Sequence, residues 1–147
     1  MKNYKTDIFK TTDDISVLVN LLNLYKKDIG EDNVTVEQVD RLKKAIETKR
    51  IEFFIIKDEE EIVGMCSIMI GFSTFNFMEM GIFEDFFIKK EFRKKGLASI
   101  LTSYAFEEMK KRKINSVWVG CSDCDIEMYK HLGFDIGLGN LYTWSNN

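Results

Sequence analysis

Proline is absent from all 147 residues, histidine occurs once, cysteine three times, and neither sign of charge dominates, with 21 Lys and Arg against 24 Asp and Glu. Each scarcity excludes something. Without proline, a Gly/Ser-rich linker or a visible repeat, nothing marks an internal boundary, and one domain over residues 1–147 is expected. Cys66, Cys121 and Cys124 are too few, and odd in number, for a disulfide framework; they fit a reducing compartment. No apolar run is long enough to span a bilayer, and the opening "MKNYKTDIFKTTDD" lacks the apolar core of a secretory signal. A cytoplasmic location and no membrane partner are therefore expected. A net charge of -3 gives no global attraction to nucleic acid, so any anion must be held by a local arrangement of charge. Cys121 and Cys124 form a C-x-x-C with His131 seven residues on, but a zinc site lacks its fourth ligand and the context of a redox helix is missing. No metal is expected.

What is present is the profile of a folded globular chain, 45% apolar and 31% charged, with enough apolar content to build a core. A first strand is predicted over about Tyr4 to Phe9. "TTDD" then caps a helix carrying Ile15, Leu18, Val19, Leu22 and Tyr25 at helical spacing. A second helix begins at "NVTVEQ", where Thr35 and Gln38 form the pattern of a capping box. "IEFFIIKDEEEIVGMCSIMIGF" reads as a hairpin turning at Asp58 to Glu60, and "MGIFEDFFIKK" as a further strand. "GLASILTSYAFEEMKKRK" is a helix with Leu97, Ile100, Leu101, Tyr104, Ala105 and Met109 on one face. "INSVWVGC" is a short strand, "DIEMYKHL" a short helix, and "GFDIGLGNLYTWS" two terminal strands about Gly137 to Asn140. The order β-α-α-β-β-β-α-β-α-β-β is a mixed α/β pattern.

The stretch "EDFFIKKEFRKKGLASIL", from Glu84 to Leu101, concentrates basic residues between a strand and a Gly-opened helix. A strand feeding a helix leaves unpaired N–H groups and the positive end of the helix dipole at the junction, where phosphate binds. Gly96 and Ala98 keep that junction slim, and Arg93, Lys94 and Lys95 bring charge to it. The alternative is a solvated charge run at an ordinary helix start.

"Arg93-Lys94-Lys95-Gly96-Leu97-Ala98" has the R/Q-x-x-G-x-G/A form of the GNAT superfamily of N-acetyltransferases, which the chain resembles in the strand before it and the helix after. Downstream, "CSDCDIEMYKHLGF" resembles the family's closing segment, with Tyr129 preceding Leu132-Gly133-Phe134. The resemblance runs end to end and implies a mostly antiparallel central sheet flanked by helices, acetyl-CoA as co-substrate, and a homodimer. It further implies that the pantetheine arm lies along Phe86, Phe87 and Ile88, where that strand and the next splay apart. Arg93 and the positions Lys94, Lys95, Gly96, Leu97, Ala98 and Ser99 would wrap the pyrophosphate, and Ser122 to Asp125 would flank the arm's other side. The pattern departs in three places, one being Ala98 in place of Gly as the final small residue of the motif. Lys90 and Glu91 stand where a proline and an acidic residue often precede the Arg, and Ser122 stands where many relatives carry an Asn.

Acetyl transfer needs a neutral amine, so a base must take a proton from an ammonium whose pKa is about 10. Glu84 and Asp85 are adjacent on a strand, which is expected to turn them to opposite faces. Glu84 is the expected base, and both carboxylates are expected to bind a cationic substrate. Their alternative role is an edge-strand charge pair kept for solubility. Tyr129 is the expected acid for the departing thiolate, its alternative being a core aromatic with a satisfied hydroxyl. By resemblance, the Ile88 N–H is the oxyanion donor. The run "FSTF", "GIFEDFFI" and the Arg motif also resembles diamine and polyamine acetyltransferases, implying a small-molecule amine acceptor of that kind. Protein N-termini and lysines stay open as acceptors, as does a non-catalytic module that only binds a CoA thioester.

Overall fold

The computed structural model describes residues 2–146. Five strands form one sheet in the order β1 (Tyr4–Ile8), β2 (Ile51–Asp58), β3 (Glu61–Ser73), β4 (Met78–Ile88), β5 (Val117–Trp118). All neighbours are antiparallel except β4 and β5, which run parallel. A parallel return needs a crossover, and α3 (Leu97–Lys111) supplies it. The helices α1 (Ile15–Asp28) and α2 (Val36–Glu47) follow β1, and a short α4 (Ile126–His131) follows β5. Among the described residues no helix is long and apolar enough to cross a membrane.

Both faces of the sheet are buried, which explains why β2 reads as an unbroken apolar run instead of an alternating one. Its Phe54 and Ile56 join Leu97, Leu101, Ala105 and Met109 of α3 in one core. Its Phe53 and Ile55 join Leu18, Leu21 and Leu22 of α1 and Ile46 of α2 in the other. The helix starts follow local chemistry. Asp14 accepts from the Ser16 N–H ahead of α1, and Thr35 and Gln38 close a reciprocal capping box on α2. The Asn23 side chain accepts from the Val34 N–H at 2.8 Å and ties the α1–α2 connection to α1. On α3, Ile100 departs from the expected apolar face and is 44% exposed.

Two expectations at the C-terminal end are corrected. The strand in "INSVWVGC" shrinks to Val117–Trp118, and the two terminal strands about Gly137 to Asn140 do not form, since residues 135–146 carry no regular element. The apolar alternation there is suited to a strand, but a strand needs a ladder partner, and β5 offers only two residues. Ile136, Leu138, Leu141, Tyr142 and Trp144 are accordingly exposed.

Candidate active site

The site begins with a mismatch in the β3–β4 ladder. Met65 pairs with Phe87 and Ser67 with Glu84, so Cys66 alone stands opposite Asp85 and Phe86. The extra residue is a β-bulge, and Asp85 absorbs it with a left-handed φ of 51°. The bulge overturns the expectation that Glu84 and Asp85 face opposite ways. Strict alternation fails at the inserted residue, and both carboxylates line one cavity. Ser67, fully buried on β3, donates its hydroxyl to Asp85 Oδ2 at 2.7 Å. That contact satisfies a polar group that would be costly in a sheet core.

A second feature is the parting of β4 from β5. They pair only at Gly81 with Val117 and Ile82 with Trp118, which leaves Phe83 to Ile88 without a β5 partner. Gly81 makes the joint tight, since a Cβ there would stand 2.5 Å from Ile68 Cγ2 and 3.4 Å from Val117 Cγ2. Beyond the bulge, the Lys89 N–H bonds the Val63 carbonyl on β3. Backbone groups alternate in direction along a strand, so those of Ile88 face the opened edge. The parting opens into a cavity of ≈ 820 Å³.

The third feature is the turn into α3. Lys94 and Gly96 hold left-handed φ values of 59° and 78°. A Cβ on Gly96 would touch nothing, so glycine serves there for its backbone conformation. Such turns direct successive N–H groups into an anion-binding concavity. Among the described residues, none of the N–H groups of Lys94 to Ser99 donates to a protein acceptor. Arg93 is committed elsewhere. Its Nε donates to the Ile88 carbonyl at 2.7 Å and a terminal nitrogen donates to Asp28 of α1 at 2.9 Å. Its guanidinium also lies over the Phe87 ring. Lys89 pairs with Glu61 and Lys90 with Asp28, while Lys95 lies over the Phe92 ring at 5.1 Å. The basic run is thus mostly fastening, and Lys94 is its cavity-lining lysine without an acidic partner among the described residues.

Tyr129 of α4 lines the same cavity and meets Phe83, Phe86 and Phe134 at ring separations of 6.4, 6.5 and 5.8 Å. Burial, then Asp125, pushes its phenol up to about 12. Burial, then the neighbouring Asp85 charge, raises Glu84. Burial also raises Asp85, opposed by the Ser67 hydrogen bond and by Lys26. Of the residues singled out from sequence, Glu84, Asp85, Phe86, Phe87, Ile88, Arg93, Lys94, Gly96, Leu97, Ala98, Ser99, Asp125 and Tyr129 come together here. Lys95 and Ser122 do not line the cavity.

Sequence reasoning missed Tyr25, Ile29, Phe92 and His131 on the cavity wall, and Ser67 beneath it. Tyr25 sits on the apolar stripe of α1, where its position signals only core packing. Ser67 carries no motif, and only the bulge gives it a partner. Among the described residues no three His, Cys, Asp or Glu side chains gather as metal ligands, and Cys121 and Cys124 are free and exposed.

A sequence model described as the acetyltransferase (GNAT) family matches residues 18–134. A search of curated proteins finds no match. Solved structures resemble the whole chain. An aminoglycoside acetyltransferase from an uncultured soil metagenomic sample, in complex with trehalose, superposes with a TM-score of 0.85 at 13% identity, covering 98% of this chain and 96% of its own. A predicted acetyltransferase with acetyl-CoA from Clostridium acetobutylicum gives 0.78 at 18% identity, covering 96% of each chain. Glucosamine-6-phosphate N-acetyltransferase from Arabidopsis thaliana gives 0.75 at 20%, covering 97% of this chain and 99% of its own. At such identities the structures establish the shared fold.

Proposed function

We infer, because this chain belongs to the acetyltransferase (GNAT) family, that it is an acetyl-CoA-dependent enzyme that acetylates a primary amine of a small molecule by direct attack within a ternary complex. The observation that carries this reading is the junction of an opened β4 edge with six consecutive N–H groups, Lys94 to Ser99, that have no protein acceptor among the described residues. Those groups suit a diphosphate, with Lys94 adding charge at the same wall. The opened edge at Phe86 and Ile88, with Phe87 turned to β3 between them and the Ile88 carbonyl held by Arg93, suits an amide-bearing arm that adds like a strand. Leu97, Ala98 and Asp125 would flank it. Arg93 would act by holding the turn against α1, its charge already shared with Asp28.

When bound, acetyl-CoA supplies a thioester carbon open to a neutral amine and a sulfur able to leave. The protein's part is proton handling and orientation. Glu84, raised by its surroundings, accepts the ammonium proton, directly or through one water, and Asp85 holds the cationic acceptor beside it. The Ile88 N–H, on the opened edge, would donate to the carbonyl oxygen as negative charge develops there. Tyr129 is protonated through the neutral range, as a phenol of pKa about 10 would be and more firmly so with burial raising it, and its hydroxyl is available as a hydrogen-bond donor to the departing sulfur.

A small cationic acceptor of the polyamine kind is the specific form of this proposal, supported by the two carboxylates at the cavity. The homodimer is part of it, supported by the exposed apolar side chains of residues 135–146, and sedimentation velocity tests it. A cytoplasmic location is supported by three free thiols. The central experiment is thiol release from acetyl-CoA across a panel of amines, beside calorimetry with CoA. Turnover with at least one amine and measurable heat are expected; no heat with CoA and no thiol release with any amine overturn the proposal.

A further inference from the structure

A second cavity, ≈ 370 Å³, lies beside the first and is lined by Leu22, Tyr25, Lys26, Ile29, Glu31, Val34, Gln38 and Asp85. Tyr25, Ile29 and Asp85 belong to both cavities. They form the partition between them, and Asp85 is the one carboxylate presented to each side. The backbone that puts it there is the bulge with its left-handed φ, held by Ser67. Aspartate adopts left-handed φ more readily than most residues, and here the Ser67 hydrogen bond fixes it.

The charge lining this second cavity is specific. Lys26 and Glu31 are bonded to each other at 2.7 Å, which leaves Asp85, bonded to Ser67 and close enough to Lys26 to feel its charge, outside any ion pair among the described residues. Glu84 stands next to it in the first cavity. The remaining wall joins the aliphatic side chains of Leu22, Ile29 and Val34 to the phenol of Tyr25 and the amide of Gln38, and the volume is at the small end of the range for ligand sites. A cation with a short hydrocarbon body finds a carboxylate at the inner end and apolar surface along its length. A ligand bearing phosphate or carboxylate would meet Asp85, Glu84 and Glu31, with one lysine already engaged.

We propose that this second cavity is the acceptor channel, and that its occupant is a short aliphatic primary amine carrying no anionic group, with its reacting ammonium received at Asp85 and its far end at the Lys26–Glu31 pair. The proposal rests on the acetyl-transfer reading, which gives the first cavity to acetyl-CoA and leaves the partition as the meeting place. The overall reaction balances simply. The new C–N bond forms as the C–S bond breaks, one ammonium proton goes to a carboxylate, and the thiol leaves with a proton.

The test uses the full chain, thiol release from acetyl-CoA, and three amine probes of similar size: an aliphatic monoamine, an aliphatic diamine and an amine bearing phosphate. Wild type is expected to favour the first two over the third. Val34→Trp fills the channel and is expected to raise the amine KM about tenfold while the affinity for CoA by calorimetry holds. Glu31→Lys, at an exposed position that tolerates exchange, breaks the pair and makes the rim basic. It is expected to shift selectivity about tenfold toward the phosphate-bearing amine. A wild type that prefers the anionic amine, or unchanged amine KM and selectivity in both variants while turnover continues, overturns the channel and leaves acetyl transfer standing. Loss of CoA binding and turnover in wild type would instead strike the reading beneath it.

Discussion

At Asp85, a carboxylate is kept in a conformation and an environment that both oppose folding. Its pKa is raised by burial, so its charged form is destabilised in the fold. A carboxylate with a raised folded pKa contributes stability while protonated, and that contribution is lost as pH rises from its unfolded value through its folded one. At neutral pH the ionised group is therefore a cost. Asp85→Asn, which keeps a residue tolerant of left-handed φ, is expected to raise Tm at neutral pH while lowering kcat/KM for amines. Thermal melts beside initial rates check the trade, and a lower Tm with unchanged rates would contradict it. Ser67→Ala removes a bond that favours ionised Asp85. The acid limb of the pH–rate profile should then move to higher pH, with Ser67→Thr restoring part of the shift. Tyr129 permits a cleaner separation. Tyr129→Phe keeps the ring among Phe83, Phe86 and Phe134 but deletes the donor, and kcat is expected to fall about a hundredfold with acetyl-CoA affinity nearly intact. An unchanged kcat would remove Tyr129 from proton delivery and leave it as a core aromatic among Phe83, Phe86 and Phe134.

Elements meet at the site through their ends and irregularities. The C-terminal end of β4, the N-terminus of α3 and the last turn of α1 are clamped by Arg93, which bridges the Ile88 carbonyl and Asp28. The turn itself depends on Gly96. With φ at 78°, any L side chain there is strained, by roughly 1–2 kcal/mol. Gly96→Ala should lower Tm by a few degrees and weaken CoA binding together, because the strain and the N–H array belong to one turn. Loss of stability with full CoA affinity, measured by calorimetry, would separate the turn from the ligand. The bulge in β4 is the other element-scale device, since it converts two sequence neighbours on opposite faces into two groups on one wall.

Across the whole molecule, binding is expected to act as a clamp. The first cavity is walled by α1, β4, α3 and α4, so a ligand there touches both helical layers and the sheet between them. A ligand that binds only the folded state stabilises it by about 2.7 kcal/mol at a hundred times its Kd, a Tm rise of roughly 5–10 °C for a chain of this size. CoA should produce that rise in thermal melts, and added salt should diminish it because the contact is ionic in part. With a net charge of -3, the molecule as a whole repels the polyanion slightly, and the attraction resides in the turn.

Much of this was legible in the chain itself. The apolar periods of α1, α2 and α3, the capping box at Thr35 and Gln38, the turn between β2 and β3 and the Gly96 turn are local patterns, each step of them set by residues within four positions of one another. Local sterics and hydrogen bonding determine them before any long-range contact forms, and the motif order around Gly96 and Tyr129 follows from them. What only the tertiary structure decided depends on partners far apart in sequence. Whether β4 bulges against β3, whether Ser67 finds Asp85, whether Arg93 turns toward Asp28 in place of the solvent-facing phosphate turn, and whether residues 135–146 find a strand to pair with are questions of register and packing. No spacing along the chain encodes them, because the energy that settles each comes from a neighbour that folding itself brings into place.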